Sequence, residues 1–228
     1  MIAILIGLST NLAVQTSKDT AGAYQSVDLA CDIGITIGIY IAGGISSGQL
    51  NPAISLTLCL YRASLSPKAL VHISAQILGG ILVGLVAYSV YRDAILVFDV
   101  SDGKSGLFEG GTRKTFFTQL GPFASVGTEF ANEFVGAAIL SCTILALGDD
   151  SNAPRGAGMH ALIVGLVVTV LTLSFRYDTG ACLNPARDFG PRIATRPPFE
   201  VATQIKCFVS ARSSKLISKY SQASKPLE

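Results

Sequence analysis

The chain has 228 residues, half of them hydrophobic and only 14% charged, with a net charge of +2 and a mean hydropathy of +0.51. Soluble domains carry about 25% charged residues, so this composition excludes disorder, collagen-like repeats and an ordinary soluble enzyme surface. The mild charge makes no case for nucleic acid; what remains is a membrane protein.

Its 23 glycines suit helices that pack closely in lipid, although tryptophan, favoured at the membrane interface, is absent. At about 20 residues per crossing, a chain of this length has room for six spans. The first apolar run, Ile2 to Leu8, follows no basic residue, so a signal peptide is not expected. It predicts a partial helix rather than a full crossing. Between Asp32 and Arg62 lie 29 uncharged residues that hold the second span and then Asn51-Pro52-Ala53. Lys68 and Arg92 bracket 23 more, the third span, in which Gly80 and Gly84 form a GxxxG pair that lets another helix approach. Residues 92 to 122 read as a long, polar, Gly-rich extramembrane loop. The fourth span, Pro122 to Leu147, carries Glu129 and Glu133, and the fifth is Met159 to Phe175. After Asn184-Pro185-Ala186 the hydrophobicity stops, and residues 196–228 contain no window approaching a span.

The five cysteines are odd in number and lack CxxC spacing. Four of them lie in apolar stretches and read as small buried hydrophobes. His72 and His160 fall near span ends, at the interface rather than on a metal. The segment Gly103-Lys104-Ser105 fails the P-loop pattern because position 98 is Phe98. HExxH, GxSxG and GxGxxG are absent, so neither an enzyme nor a cofactor is expected.

The informative feature is a repeat. Leu50-Asn51-Pro52-Ala53 recurs 133 residues later as Leu183-Asn184-Pro185-Ala186, each copy following a span and a Gly-, Ser- or Thr-rich approach. Asn is a preferred N-cap and Pro a preferred first helical residue, so each motif predicts a short helix entered from irregular backbone. Such backbone is tolerated at membrane depth only where it lines a cavity or is buried in protein. Two half-helices in corresponding places of an inverted repeat point to a site at the bilayer midplane. Their positive dipole ends repel cations there, protons included, and both Asn amides are expected to stay free to donate to a passing oxygen.

On these residues the chain resembles the major intrinsic protein family, the aquaporins and aquaglyceroporins, in its fungal aquaglyceroporin branch. Gly43-Gly44-Ile45-Ser46 through Ala53 is similar to the family's first signature, and Gly180 through Arg192, with Asn184-Pro185-Ala186-Arg187-Asp188-Phe189-Gly190-Pro191, to the second. Asp188 after Arg187 and the long loop over 92–122 mark the glycerol-conducting branch. The resemblance implies an all-α membrane protein, an inverted repeat of transmembrane helices with two pore-lining half-helices, its first helix partial and its sixth missing. It implies a channel domain over residues 1–195, a poorly ordered basic tail over 196–228, and a place in the plasma membrane. The implied activity is passive passage of glycerol, small polyols and water, in a homotetramer with one pore per subunit.

The resemblance also assigns residues. Asn51, Asn184 and Arg187 line the pore, and Cys31, Thr172 and Ala181 take the other constriction positions. All three are small, which implies a wide pore, with Tyr177 near enough in sequence to fill part of the gap. A lone Arg in a membrane segment is costly; a pairing with Asp188 or a loop carboxylate is the alternative use of Arg187. Pro52, Ala53, Pro185, Ala186 and Asp188 support the pore loops. Glu133 is expected to accept from backbone N–H groups of a pore loop, and Gln49, standing where many members have His, to hydrogen-bond beneath the other. Asp32, where the family usually has Gly, has no assigned role. Two alternatives stand beside the glycerol channel. One is a water-selective channel, which Asp188 and the loop disfavour; the other is a non-conducting relative, suggested by the incomplete helices.

Overall fold

A computed structural model of the chain describes residues 1–61, 67–101, 111–118, 121–149, 151, 152, 156 and 158–195. Among the described residues there are seven α-helices and no strand: α1 (Ile2–Thr16), α2 (Tyr24–Ser46), α3 (Pro52–Tyr61), α4 (Pro67–Ser101), α5 (Val126–Leu147), α6 (Met159–Thr179) and α7 (Pro185–Ala194). A 3₁₀ turn covers Thr112–Thr115 between α4 and α5. Four helices, α2, α4, α5 and α6, are long and apolar enough to cross a membrane. The protein is an all-α, multi-pass membrane protein.

Caps explain where the elements start and stop. Ser125 Oγ accepts from the Thr128 N–H at 3.1 Å and opens α5. Gly180, at φ +87°, closes α6 by donating its N–H to the Arg176 carbonyl, a left-handed turn that costs glycine little. Proline is the first residue of α3 and of α7, where its missing N–H has no helical partner to lose.

Side-by-side packing runs α1 on α2 and α4, α2 on α6, α5 on α6, and α7 on α4. One apolar core joins Ile4, Leu8 and Leu12 of α1 to Val83 and Ala87 of α4 and to Phe116. A second joins Ile54, Leu140, Val168 and Leu171 to Ala181 and Leu183 of the segment before α7. Helices α4 and α7 approach closely, and the GxxxG pair allows it. A Cβ on Gly80 would collide with the Ala186 carbonyl oxygen. One on Gly84 would sit 2.8 Å from Ala194 Cβ and 3.0 Å from Pro191 Cα.

Three boundaries differ from the sequence reading, two of them because a charge was taken as the edge of a span. Helix α2 starts at Tyr24, which draws Asp28 and Asp32 inside it as buried residues. Helix α4 runs to Ser101, so residues 92–101 are helical and not loop. Its 35 residues span about 52 Å, well beyond the ~30 Å hydrocarbon core, and its last turns need no apolar surroundings. The fourth span begins at Val126, four residues after Pro122, because Ser125 supplies the cap. Among the described cysteines only Cys59 is buried; Cys142 is exposed, and Cys31 and Cys182 are half-buried. Apolar neighbours in sequence place a residue in a span without saying which face it takes. The expected tail over 196–228 and the question of a sixth span lie outside the described residues, as do residues 102–110 of the expected loop.

Candidate functional site: a cavity between two facing half-helices

The segments entering α3 and α7 fold alike. Leu50 and Leu183, each just before its Asn, hold the left-handed conformation at φ +53° and +48°, and so do Ser47 and Ala181. Such a conformation costs a non-glycine residue roughly 1–3 kcal/mol, and the arrangement here shows what holds it. Asn51 Nδ2 donates to the Leu183 carbonyl at 2.7 Å, and Asn184 Nδ2 donates to the Leu50 carbonyl at 3.0 Å. Each Asn Oδ1 meanwhile caps its own helix, accepting from the N–H of Ala53 at 2.9 Å or of Ala186 at 3.1 Å. The two helix starts are stitched to each other by a reciprocal pair of bonds. This corrects the expectation of two free amides: one N–H of each Asn is committed to protein, and the other has no protein partner among the described residues.

Glu133 supports this arrangement from α5. Its Oε1 accepts from the Cys182 N–H and the Thr179 hydroxyl, both at 2.9 Å, and its Oε2 from the Leu183 N–H at 2.8 Å. A carboxylate in an apolar helix is costly unless it is fully hydrogen-bonded, and the irregular segment before α7 has N–H groups that no helix satisfies. Under the first segment, Gln49 Oε1 accepts from His72 Nδ1 at 3.4 Å, and Ser55 and Gln76 bond each other beside it.

The Asn pair opens on a cavity of about 470 Å³. Its wall follows α6 from His160 to Arg176, sixteen residues or about 24 Å along the helix, most of the ~30 Å depth of a bilayer core. Cys31, Thr172, Ala181, Asn51, Asn184 and Arg187 all line it. Pro52, Ala53, Pro185 and Ala186 are in the first turns of the half-helices and Glu133 is behind the loop, none of them lining the cavity. Tyr177 is 78% exposed and stacked on Phe123; it does not fill the gap left by the small residues. Arg187 pairs with neither Asp188 nor another carboxylate among the described residues; its Nη1 donates to the Phe116 carbonyl at 3.2 Å. Asp188 instead accepts from Arg192 at 2.9 and 3.0 Å and from the Thr118 N–H and hydroxyl at 2.9 and 2.8 Å, tying the segment after α4 to α7.

Comparison with known proteins decides the family. A family profile described as "Major intrinsic protein" matches residues 1–207. The chain belongs to the major intrinsic protein family. It is 44% identical over 195 residues to Aquaglyceroporin-4 of Botryotinia fuckeliana (strain B05.10), covering 84% of this chain and 26% of that protein. It is 37% identical over 193 residues to Aquaglycerol porin AQY3 of Saccharomyces cerevisiae, covering 85% and 29%. The chain thus spans about a quarter to a third of the length of these relatives. Among solved structures, the aquaglyceroporin from Plasmodium falciparum superposes with a TM-score of 0.70 at 23% identity, over 85% of this chain and 77% of that one. At that identity the likeness is one of fold.

Within this major intrinsic protein fold, the cavity wall also holds groups that sequence reasoning missed. Asp28 and Arg176 form an ion pair between α2 and α6, and Arg176 lies 4.5 Å over the Tyr24 ring. Asp32 accepts at 3.4 Å from the Thr172 hydroxyl. Asp28, Asp32, Thr172 and Arg176 all line the cavity. The signal available was three charges inside or beside apolar runs; Asp28 and Arg176 stand 148 residues apart, and nothing local pairs them.

Proposed function

We propose that the chain is a passive channel for glycerol, small polyols and water, with transport and not catalysis as its activity. The observation that carries this reading is the cavity that follows α6 for about 24 Å and passes the crossed pair Asn51 and Asn184. A solute hydroxyl meets there the remaining N–H of each Asn, aligned by the partner carbonyl. Proton passage is opposed at the same level, where the positive ends of α3 and α7 meet. Arg187 supplies further N–H donors and a positive charge that repels cations, with Cys31, Thr172 and Ala181 as the small residues of the same constriction. Glu133, Gln49 and Asp188 keep the loops in place.

The domain assignment belongs to the same proposal: residues 1–195 as channel unit, residues 196–228 as a tail. Four such units around an axis, as homotetramers of this family assemble, would cover part of the large apolar outer surface, of which Ile45, Val126 and Phe130 are examples. The relatives named as aquaglyceroporins support glycerol as solute, and the plasma membrane is the proposed location. The test is stopped-flow light scattering of proteoliposomes carrying the 228-residue chain, with an inward glycerol gradient and a pH-sensitive dye inside. Glycerol influx well above protein-free vesicles with no added proton leak is the expected result. Influx equal to protein-free vesicles refutes the proposal.

A further inference from the structure

A second cavity, of about 500 Å³, lies where α1 stops, α2 starts and the last turns of α4 pass. It shares only Val27 and Arg176 with the cavity of the crossed asparagines, and none of Asn51, Asn184 and Arg187 lines it. Its size falls within the ~300–1,000 Å³ of small-molecule sites. Lys18 and Asp19 enter its wall from the turn after α1. They pair neither with each other nor with another charge among the described residues. Both hold the left-handed conformation, at φ +52° and +67°. Bonds from the Lys18 N–H to the Gln15 carbonyl and from the Asp19 N–H to the Val14 carbonyl, at 3.2 and 3.0 Å, pin that turn. The Lys18 ammonium stands 5.9 Å from the centre of the Phe98 ring, much as the Arg176 guanidinium stands over Tyr24. A ring attracts a cation without using up its N–H donors. Lys18 therefore keeps its donors, and Arg176, which gives Nη1 to Asp28, keeps the rest of its fork. Gln15 accepts the Thr115 hydroxyl on Oε1, which leaves its amide N–H groups without a partner among the described residues. Val14 and Val27, 7% and 2% exposed, add apolar wall.

Two cations with donors to spare, a carboxylate without a cation and an apolar wall complement a small zwitterion. A simple anion brought here meets Asp19 as a like charge, and a simple cation meets Lys18 and Arg176; like charges set against each other are costly. A molecule that carries both charges pairs with each set. We propose that this cavity binds a free α-amino acid with an apolar side chain. Lys18, Arg176 and the Gln15 amide take its carboxylate, Asp19 takes its ammonium, and Val14 and Val27 take its side chain. The rings of Phe98 and Tyr24 hold the two cations in place for the carboxylate. A site that matches both charged ends rejects an analogue lacking either one, through the group then left unpaired. The site is tested by binding alone, independently of solute flux.

The test is a saturation-transfer NMR titration of the 228-residue chain in lipid nanodiscs, with empty nanodiscs as the blank. The probes are L-leucine, isocaproate, which is leucine without its ammonium, and isoamylamine, which is leucine without its carboxylate. Leucine is expected to saturate with a Kd of about 1 mM or tighter, and each analogue to bind about tenfold more weakly, the scale of one lost charged hydrogen bond. Lys18→Gln weakens leucine about tenfold by the same reasoning, whereas Lys18→Arg, which keeps the charge, stays near the wild type. Asp19→Asn tests the other end, since asparagine tolerates the left-handed turn. It weakens leucine and strengthens isocaproate, an inversion of preference that a merely structural role would not produce. A wild-type chain with no saturable leucine signal overturns the inference. So does isocaproate or isoamylamine binding as tightly as leucine, and so does leucine binding unchanged in Lys18→Gln and Asp19→Asn.

Discussion

Glu133 shows how much one side chain can decide. It is the shared acceptor for Thr179, Cys182 and Leu183, all within six residues of Asn184. Removing it leaves two backbone N–H groups and a hydroxyl without a partner while Leu183 is still asked to hold its left-handed turn. Hydrogen bonds to a charged acceptor are worth about 1.5–3 kcal/mol each, so Glu133→Ala is expected to cost about 3 kcal/mol or more in unfolding from mixed micelles, and to abolish solute flux. Glu133→Gln, which keeps the shape but turns an NH₂ toward one set of donors, falls between. Wild-type stability in Glu133→Ala would contradict the account. Glu133 is legible in the sequence as a carboxylate inside an apolar run, which needs donors, and the irregular segment before Asn184 is where unsatisfied N–H groups are expected, although they lie 49 and 50 residues away. Arg176 is not legible in the same way, because what makes it a wall residue is an acid on another helix, and no periodicity on α6 announces Asp28. The committed amide N–H of each Asn escaped for a related reason: the bond needs the left-handed turn of a leucine on the opposite segment.

At the scale of elements, the half-helices are the most readable part of the molecule, since Asn-Pro states both cap and first turn. The spans are less readable. Counting charges as boundaries fails for α2, whose acids are buried inside the bundle, and for α4, which is longer than a bilayer core is thick. The GxxxG pair announces a close contact without naming the partner, which is α7. That contact makes a sharp comparison. Gly84→Leu forces atoms against Pro191 and Ala194 and pushes α7 off α4, so a lower melting temperature in micelles and a large loss of glycerol flux are expected together. By contrast, a Cβ on Gly43 of α2 would meet nothing within 4 Å. Gly43→Ala is expected to leave both unchanged or to stabilise slightly, since Ala favours helix by up to ~1 kcal/mol over Gly. Equal effects from the two substitutions would contradict the packing described.

At the scale of the whole molecule, the structure separates an outer apolar face from an inner cavity wall that sets polar groups among apolar ones, and the cysteines report on the separation. In a Cys182→Ser, Cys207→Ser background, which removes the other cysteine of the cavity wall, Cys31 is expected to react with a small water-soluble thiol reagent and to block flux. Cys142, exposed on a span, is expected to react only with a lipid-soluble maleimide. Labelling of Cys142 by the water-soluble reagent at the rate of Cys31 would contradict the division. The central claim is that the cavity between the crossed asparagines is the path of the solute, and Ala181 gives the most direct access to it. It is small, 5% exposed and part of the cavity wall, so Ala181→Trp fills the space without touching the outer face. The deciding measurement is glycerol influx into proteoliposomes of the wild-type chain and of Ala181→Trp at equal incorporation. The account predicts rapid influx for the first and influx at the level of protein-free vesicles for the second. Equal, rapid influx through both would show that the solute goes elsewhere.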